Sequence, residues 1–249
     1  MNLIEAITLR FRERLARIRS LLPRPDVAEK PYLTEVPWVY LAVVGAFRIF
    51  HRLWGHWCVY GIENVPETGG CIVVANHVSF ADPPLVGSAL RRPAYFMAKK
   101  ELFDHPFFKR FLPMIGAYPV KRGVADRSAM KVTLDLIKEG EIVVIFPEGT
   151  RREPGERGEP LPGFGWTAYR SRVPVIPVGI VNSYSYLPKG AKWVQHAQVR
   201  VHIGKPMEIQ DLLDNPDSKY AMIELGKRAM SAIWQLVDEG DRLYKEEKC

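Results

Sequence analysis

The run Cys71-Ile72-Val73-Val74-Ala75 constrains this chain more than any other stretch. Five apolar residues, bounded by Gly69-Gly70 before and by Asn76-His77 after, read as a buried strand. The stretch that follows, Asn76-His77-Val78-Ser79-Phe80-Ala81-Asp82-Pro83-Pro84, is dense in chemistry. His77 therefore falls just past the C-terminal end of a strand, where open α/β sheets place their functional groups.

Similar runs recur. Strands are expected over residues 94–98, 116–120, 142–146, 174–181 and 194–203, that over 174–181 irregular because of Pro174 and Pro177. Helices are expected between them, over residues 84–90, 106–112, 126–139 and 164–170, with a long amphipathic helix over 218–244 closing the chain. Met130, Leu134 and Ile137 share one helix face, and Gly140 is a natural stop. This alternation predicts an α/β fold with a largely parallel or mixed central sheet flanked by helices. At 249 residues the chain holds one such domain plus an appendage.

The appendage is residues 1–59, ahead of an α/β domain over 60–249. Ile4, Ile7, Phe11, Leu15, Ile18 and Leu22 repeat at helical spacing, with arginines on the other sides. Two readings stay open: a helix packed on the protein, or one lying on a membrane surface. A second helix is expected over residues 36–59. Its uncharged part, 36–47, is shorter than the ~20 residues a membrane span needs. Arg48, Arg52 and His56 lie four apart, among Trp38, Tyr40, Phe47, Phe50, Trp54 and Trp57. Aromatic rings and cations suit the interface of an anionic bilayer. With prolines between the two helices, the pattern is that of a membrane-associating two-helix hairpin. The net charge of +7 suits an anionic partner. Nucleic acid is disfavoured, since no dense basic run or nucleic-acid signature is present. Three scattered cysteines argue against a disulfide framework and a zinc site, and fit a reducing compartment.

His77 and Asp82 are five residues apart, so on one helix they would point about 140° away from each other. They meet only if the chain turns between them. Asp82 before Pro83 looks like a helix N-cap, which supplies such a turn. A carboxylate on one imidazole nitrogen leaves the other free to take a proton from a hydroxyl. No Gly-x-Ser-x-Gly nucleophile motif is present, so that hydroxyl belongs to a substrate. Two further strand tips end in arginine: residues 116–122, ending at Arg122, and Phe146-Pro147-Glu148-Gly149-Thr150-Arg151. Guanidinium groups bind phosphate in a bidentate manner.

These blocks, together with Val173-Pro174-Val175-Ile176-Pro177-Val178, resemble in order and spacing the four blocks of the glycerolipid acyltransferases. The similarity is closest to the bacterial 1-acyl-glycerol-3-phosphate acyltransferases and covers roughly residues 60–205. Ala98-Lys99-Lys100-Glu101-Leu102 also looks like that family. The resemblance implies acyl transfer from acyl-CoA or acyl carrier protein to the sn-2 hydroxyl of 1-acyl-glycerol-3-phosphate, with no cofactor and no metal. Glycerol-3-phosphate or another lysophospholipid is the alternative acceptor, and a non-catalytic membrane scaffold the remote alternative. His77 would be the general base and Asp82 its partner. Arg122 and Arg151 would hold the phosphate, with Glu148, Gly149 and Thr150 at the glycerol and Lys99 or Lys100 nearby. A monotopic protein on the cytoplasmic face of the membrane is implied. The chain departs from the pattern after Arg151, where Phe164-Gly165-Trp166-Thr167 stands in place of Phe-Lys-x-Gly. An apolar acyl tunnel is implied as well; Phe96, Met97, Phe107, Phe108 and Phe111 are candidates for it or for the core.

Overall fold

The computed structural model describes residues 37–121 and 126–246. The expected first helix over 4–22 and Arg122 lie outside these residues. The described chain forms a seven-stranded sheet of order β1-β7-β6-β2-β5-β3-β4. Its strands are β1 (Cys58–Tyr60), β2 (Cys71–Ala75), β3 (Ala94–Lys99), β4 (Ala117–Val120), β5 (Ile142–Ile145), β6 (Val175–Val181) and β7 (Arg200–Ile203). All pairings are parallel except β6 with β7. The α/β fold with a mixed, largely parallel sheet flanked by helices is observed; the expected two-helix hairpin depends on residues outside those described.

Helices cover both faces. They are α1 (Pro37–Trp54), α2 (Asp82–Ala89), α3 (Pro106–Met114), α4 (Arg127–Lys138), α5 (Pro162–Ser171), α6 (Ser183–Tyr186), α7 (Gln210–Leu213) and α8 (Ser218–Glu246). Alternation along each strand divides the core. Ile72 and Val74 of β2 and Val143 and Ile145 of β5 pack towards α4, α5 and α8. Cys71, Val73, Ala75, Ile142 and Val144 pack towards α2. Two-sided burial explains why β2 is apolar at every position.

Two prolines leave β6 regular, contrary to expectation. The Pro177 carbonyl accepts from Gly204 N, on the β7 side. Its missing N–H faces the same way, where the β7 ladder has already ended at Ile203, so pairing with β2 loses nothing. The expected final strand over 194–203 shrinks to β7. Asp126 caps α4 by accepting from Ser128 N and Ala129 N, and Gly140 follows with φ +86°.

The segment 36–59 is not one helix. It stops at Trp54, and β1 follows directly, pairing with β7. His56 therefore lies outside the helix. Arg48 donates to the carbonyls of Ser88 and Leu90 at 2.8 and 2.6 Å, satisfying the C-terminal end of α2. His51 is buried and bonded to the Tyr186 hydroxyl at 2.9 Å, and burial pushes its pKa down to about 4. Of the bases expected to face a bilayer from this helix, only Arg52 is exposed with no hydrogen bond or ion pair among the described residues. The opposite side of α1 exposes Leu41, Ile49, Phe50, Leu53 and Trp54. Among the described residues no helix is long and apolar enough to cross a membrane.

The departing segment around Phe164 is helix α5, packed on α8. A Cβ at Gly165 would lie 1.9 Å from the Met222 carbonyl oxygen, so the two helices approach as closely as only glycine permits. Gly165→Ala is expected to cost about 1–3 kcal/mol by overpacking. That lowers Tm by roughly 2–10 °C. A thermal melt unchanged from wild type would show that α8 has room to move.

Candidate functional site

Parallel pairing sends the C-terminal ends of β6, β2, β5, β3 and β4 to one edge of the sheet. Each expected site residue on a described segment lies at or just past one of these ends. His77 follows β2; Glu148, Gly149, Thr150 and Arg151 follow β5; Lys99 ends β3 and Lys100 follows it. Two strand positions separate β2 from β3. Lys99 and Lys100 are exposed, with Lys99 3.7 Å from Glu101.

His77 and Asp82 are brought together. Nδ1 of His77 lies 2.9 Å from Oδ2 of Asp82, and the pair is buried. An ionised carboxylate can only accept, so Nδ1 carries the proton and Nε2 is the basic nitrogen. The same Oδ2 also accepts from Val78 N and Ser79 N, at 2.8 and 2.7 Å. Asp82 is the first residue of α2, not its cap; Ala81 occupies the cap position without a side-chain bond. The expected N-cap thus becomes a carboxylate that folds the preceding turn back onto itself. Phe146 stacks on the His77 ring, centroids 4.3 Å apart, and fixes its plane.

The β5 tip braces the same turn. Arg152 N donates to the His77 carbonyl at 2.8 Å, and His77 N donates to Glu148 Oε2 at 3.2 Å. Glu148 is 1% exposed. It was expected at the glycerol, and it lies beneath the His77 main chain. Burial pushes its pKa up to about 7, with the His77 amide, Arg152 and the Gly158 amide pulling the other way. Gly149 adopts φ +67° and sits against Leu161, where a Cβ would lie 2.1 Å from Cδ1. Thr150 is exposed. Arg151 lies over the Phe80 ring, its guanidinium carbon 3.4 Å from the centroid.

Several supporting residues were not assigned roles from the sequence. Asn76 spans the gap to β6 with two bonds: Nδ2 donates to the Ile180 carbonyl and Oδ1 accepts from Ile180 N. Ser79 Oγ donates to the Leu187 carbonyl and accepts from Ala81 N. Asn76, Ser79 and Phe80 stand inside the quoted motif, so adjacency was the available signal. Nothing in the sequence pairs Asn76 with Ile180, 104 residues away. Phe96 and Met97 are half-buried against the core, whereas Phe107 is exposed and stacked on Phe111. Among the described residues no cluster of three or more His, Cys, Asp and Glu side chains is placed to hold a metal ion.

Glu148 gives the site a measurable pH signature. Its ordinary pKa is 4.5 and its folded value about 7. Between these values the folded state keeps a proton that the unfolded chain has released. Its contribution therefore lowers stability as pH rises from about 4.5 to about 7, then levels off. Glu148→Gln, neutral throughout, is expected to remove that slope. The difference in Tm, variant minus wild type, should rise across this window; a constant difference would show that Glu148 stays ionised.

Comparison with known proteins places this arrangement. A family model for acyltransferases matches residues 56–181, from β1 to the end of β6. The chain is 30% identical over 209 residues to the 1-acyl-sn-glycerol-3-phosphate acyltransferase of Bacillus subtilis (strain 168), covering 82% of this chain and 100% of that one. It is 33% identical over 177 residues to the chloroplastic 1-acyl-sn-glycerol-3-phosphate acyltransferase BAT2 of Brassica napus, covering 64% of this chain and about half, 51%, of that relative. The crystal structure of the 1-acyl-sn-glycerophosphate (LPA) acyltransferase PlsC from Thermotoga maritima superposes with a TM-score of 0.59 at 26% identity, covering 91% of this chain and 94% of that chain. The matched region contains both the His77–Asp82 turn and the Glu148–Arg151 tip, and the chain belongs to the acyltransferase family as an O-acyltransferase.

Proposed function

We propose that the protein transfers a fatty acyl group from a thioester, acyl-CoA or acyl carrier protein, to the sn-2 hydroxyl of 1-acyl-glycerol-3-phosphate, giving phosphatidic acid. The observation that carries this reading is the His77 Nδ1–Asp82 Oδ2 bond of 2.9 Å, which leaves Nε2 as a base beside the Arg151 tip. The names of the relatives support the choice of acceptor.

In this mechanism Nε2 of His77 removes the hydroxyl proton as the oxygen adds to the thioester carbonyl. Asp82 stabilises the imidazolium that forms. The tetrahedral oxyanion collapses, the C–S bond breaks, and the sulfur leaves as a thiolate, which recovers the proton from His77. Arg151 holds the acceptor phosphate, with Lys99 and Lys100 supplying further positive charge from the same sheet edge and Arg122 assigned to the phosphate on the family resemblance alone. Glu148 and Asn76 act through the main chain, holding the His77 turn rigid. The acceptor is a membrane lipid, so the protein works at the cytoplasmic face of an anionic membrane, with the exposed side of α1 available to it.

Purified protein assayed with an acyl thioester and either 1-acyl-glycerol-3-phosphate or glycerol-3-phosphate is expected to turn over the former. His77→Ala should reduce kcat about 10²- to 10⁴-fold. A fully active His77→Ala enzyme would refute the base assignment.

Phe80 bears on phosphate binding. The ring holds the Arg151 guanidinium by its face, so the N–H edge stays available to an anion. Phe80→Leu is expected to raise KM for the phosphorylated acceptor about 2- to 30-fold with a smaller change in kcat. Phe80→Tyr should restore it. Equal losses in both variants would mean that the stacking is incidental.

A further inference from the structure

The loop over residues 187–199, between α6 and β7, carries the most exposed large apolar side chain among the described residues: Trp193, 83% exposed. The loop is held at both ends. The Leu187 carbonyl accepts from Ser79 Oγ inside the His77–Asp82 turn. Gln195 N donates to the Tyr186 carbonyl, the Gln198 carbonyl accepts from Asn182 Nδ2, and Val199 N donates to the Gly55 carbonyl. His196 Nε2 lies 3.0 Å from His56 Nε2, and its ring meets Trp54 edge-on at 6.2 Å. A segment fixed this firmly does not expose a tryptophan through looseness. Water contact there is a standing cost that a partner would remove.

The chemistry around Trp193 selects the partner. Lys192 is exposed and forms no ion pair among the described residues, and Lys189 pairs with Glu153. Through His196 the loop joins the end of α1, where Leu53 (74% exposed), Trp54 and Arg52 also face solvent. Indole rings beside lysine and arginine match the headgroup layer of an anionic bilayer, where the ring sits at the interface and the cation meets phosphate.

We propose that loop 187–199 is a membrane-contact element distinct from the N-terminal segment, inserting Trp193 into the headgroup region of an anionic bilayer and so setting the height of the His77 turn above the lipid. This extends the reading that the acceptor is a membrane lipid. The direct link from Leu187 to Ser79 makes the loop a gauge between bilayer and site.

The test uses the full chain as wild type, Trp193→Ser and Lys192→Glu. Vesicle co-sedimentation is measured with phosphatidylcholine alone and with phosphatidylcholine plus phosphatidylglycerol, and initial rates are measured with acceptor in vesicles and with a short-chain acceptor dissolved below its micelle concentration. Trp193→Ser is expected to weaken binding to the mixed vesicles about tenfold, and Lys192→Glu several-fold, while the rate with dissolved acceptor stays unchanged. The N-terminal segment is the same in every variant, so a difference in binding between them reports on the loop. Unchanged vesicle binding in both variants overturns the proposal. So does a loss of rate with acyl carrier protein as donor but not with acyl-CoA, both measured in the same assays, which would make the patch a docking site for an acidic protein. If vesicle binding falls in the variants yet wild type turns over no lysophospholipid, the membrane contact stands and the proposed acceptor fails.

Discussion

Three donors converge on one carboxylate oxygen, Oδ2 of Asp82: the His77 imidazole and the amides of Val78 and Ser79. A chain leaving a strand has no ladder partners, so its polar groups need satisfaction nearby. Asp82 supplies that locally, and in doing so places the imidazole against itself. Geometry and chemistry are thus set by the same atom. The Phe146 ring, stacked on His77, closes the remaining freedom.

Around that turn the sheet contributes rigidity from both neighbours of β2. On the β6 side Asn76 continues the ladder with a side chain where the backbone has turned away. On the β5 side the Arg152 amide and the Glu148 carboxyl grip the His77 main chain from either end. Glu148 is costly to bury, and its raised pKa records that cost. Arg151, one side of the same tip, is left to face outward on Phe80. The tip therefore divides its charges: a carboxyl inward under the His77 main chain, a guanidinium over the Phe80 ring.

Legibility varied with the range of the interactions involved. The apolar runs of β2, β3 and β5 were readable, because two-sided burial leaves an unbroken local pattern. The glycine stop after α4 was readable because it is a local signal next to a helical period. Residues 36–59 were not. The change from helix to strand after Trp54 follows from β1 pairing with β7, about 140 residues on, and nothing local requires it. Similarly, Pro177 suggested an irregular strand because the sequence does not say which edge its missing N–H faces.

The sequence by itself determined the sheet-forming runs from β2 to β7, the main helices between them, and the presence of His77, Glu148 and Arg151 at strand tips with Asp82 five residues after His77. Those depend on local periodicity and on short spacings. Tertiary structure decided what each charged or polar group is for. Arg48 became a ligand of the α2 C-terminus, His51 a buried neutral partner of Tyr186, and Glu148 a brace under His77. The physical reason is that burial and hydrogen-bond partners come from segments distant in the chain, and these, not the residue type, set whether a polar side chain supports the fold or meets a ligand.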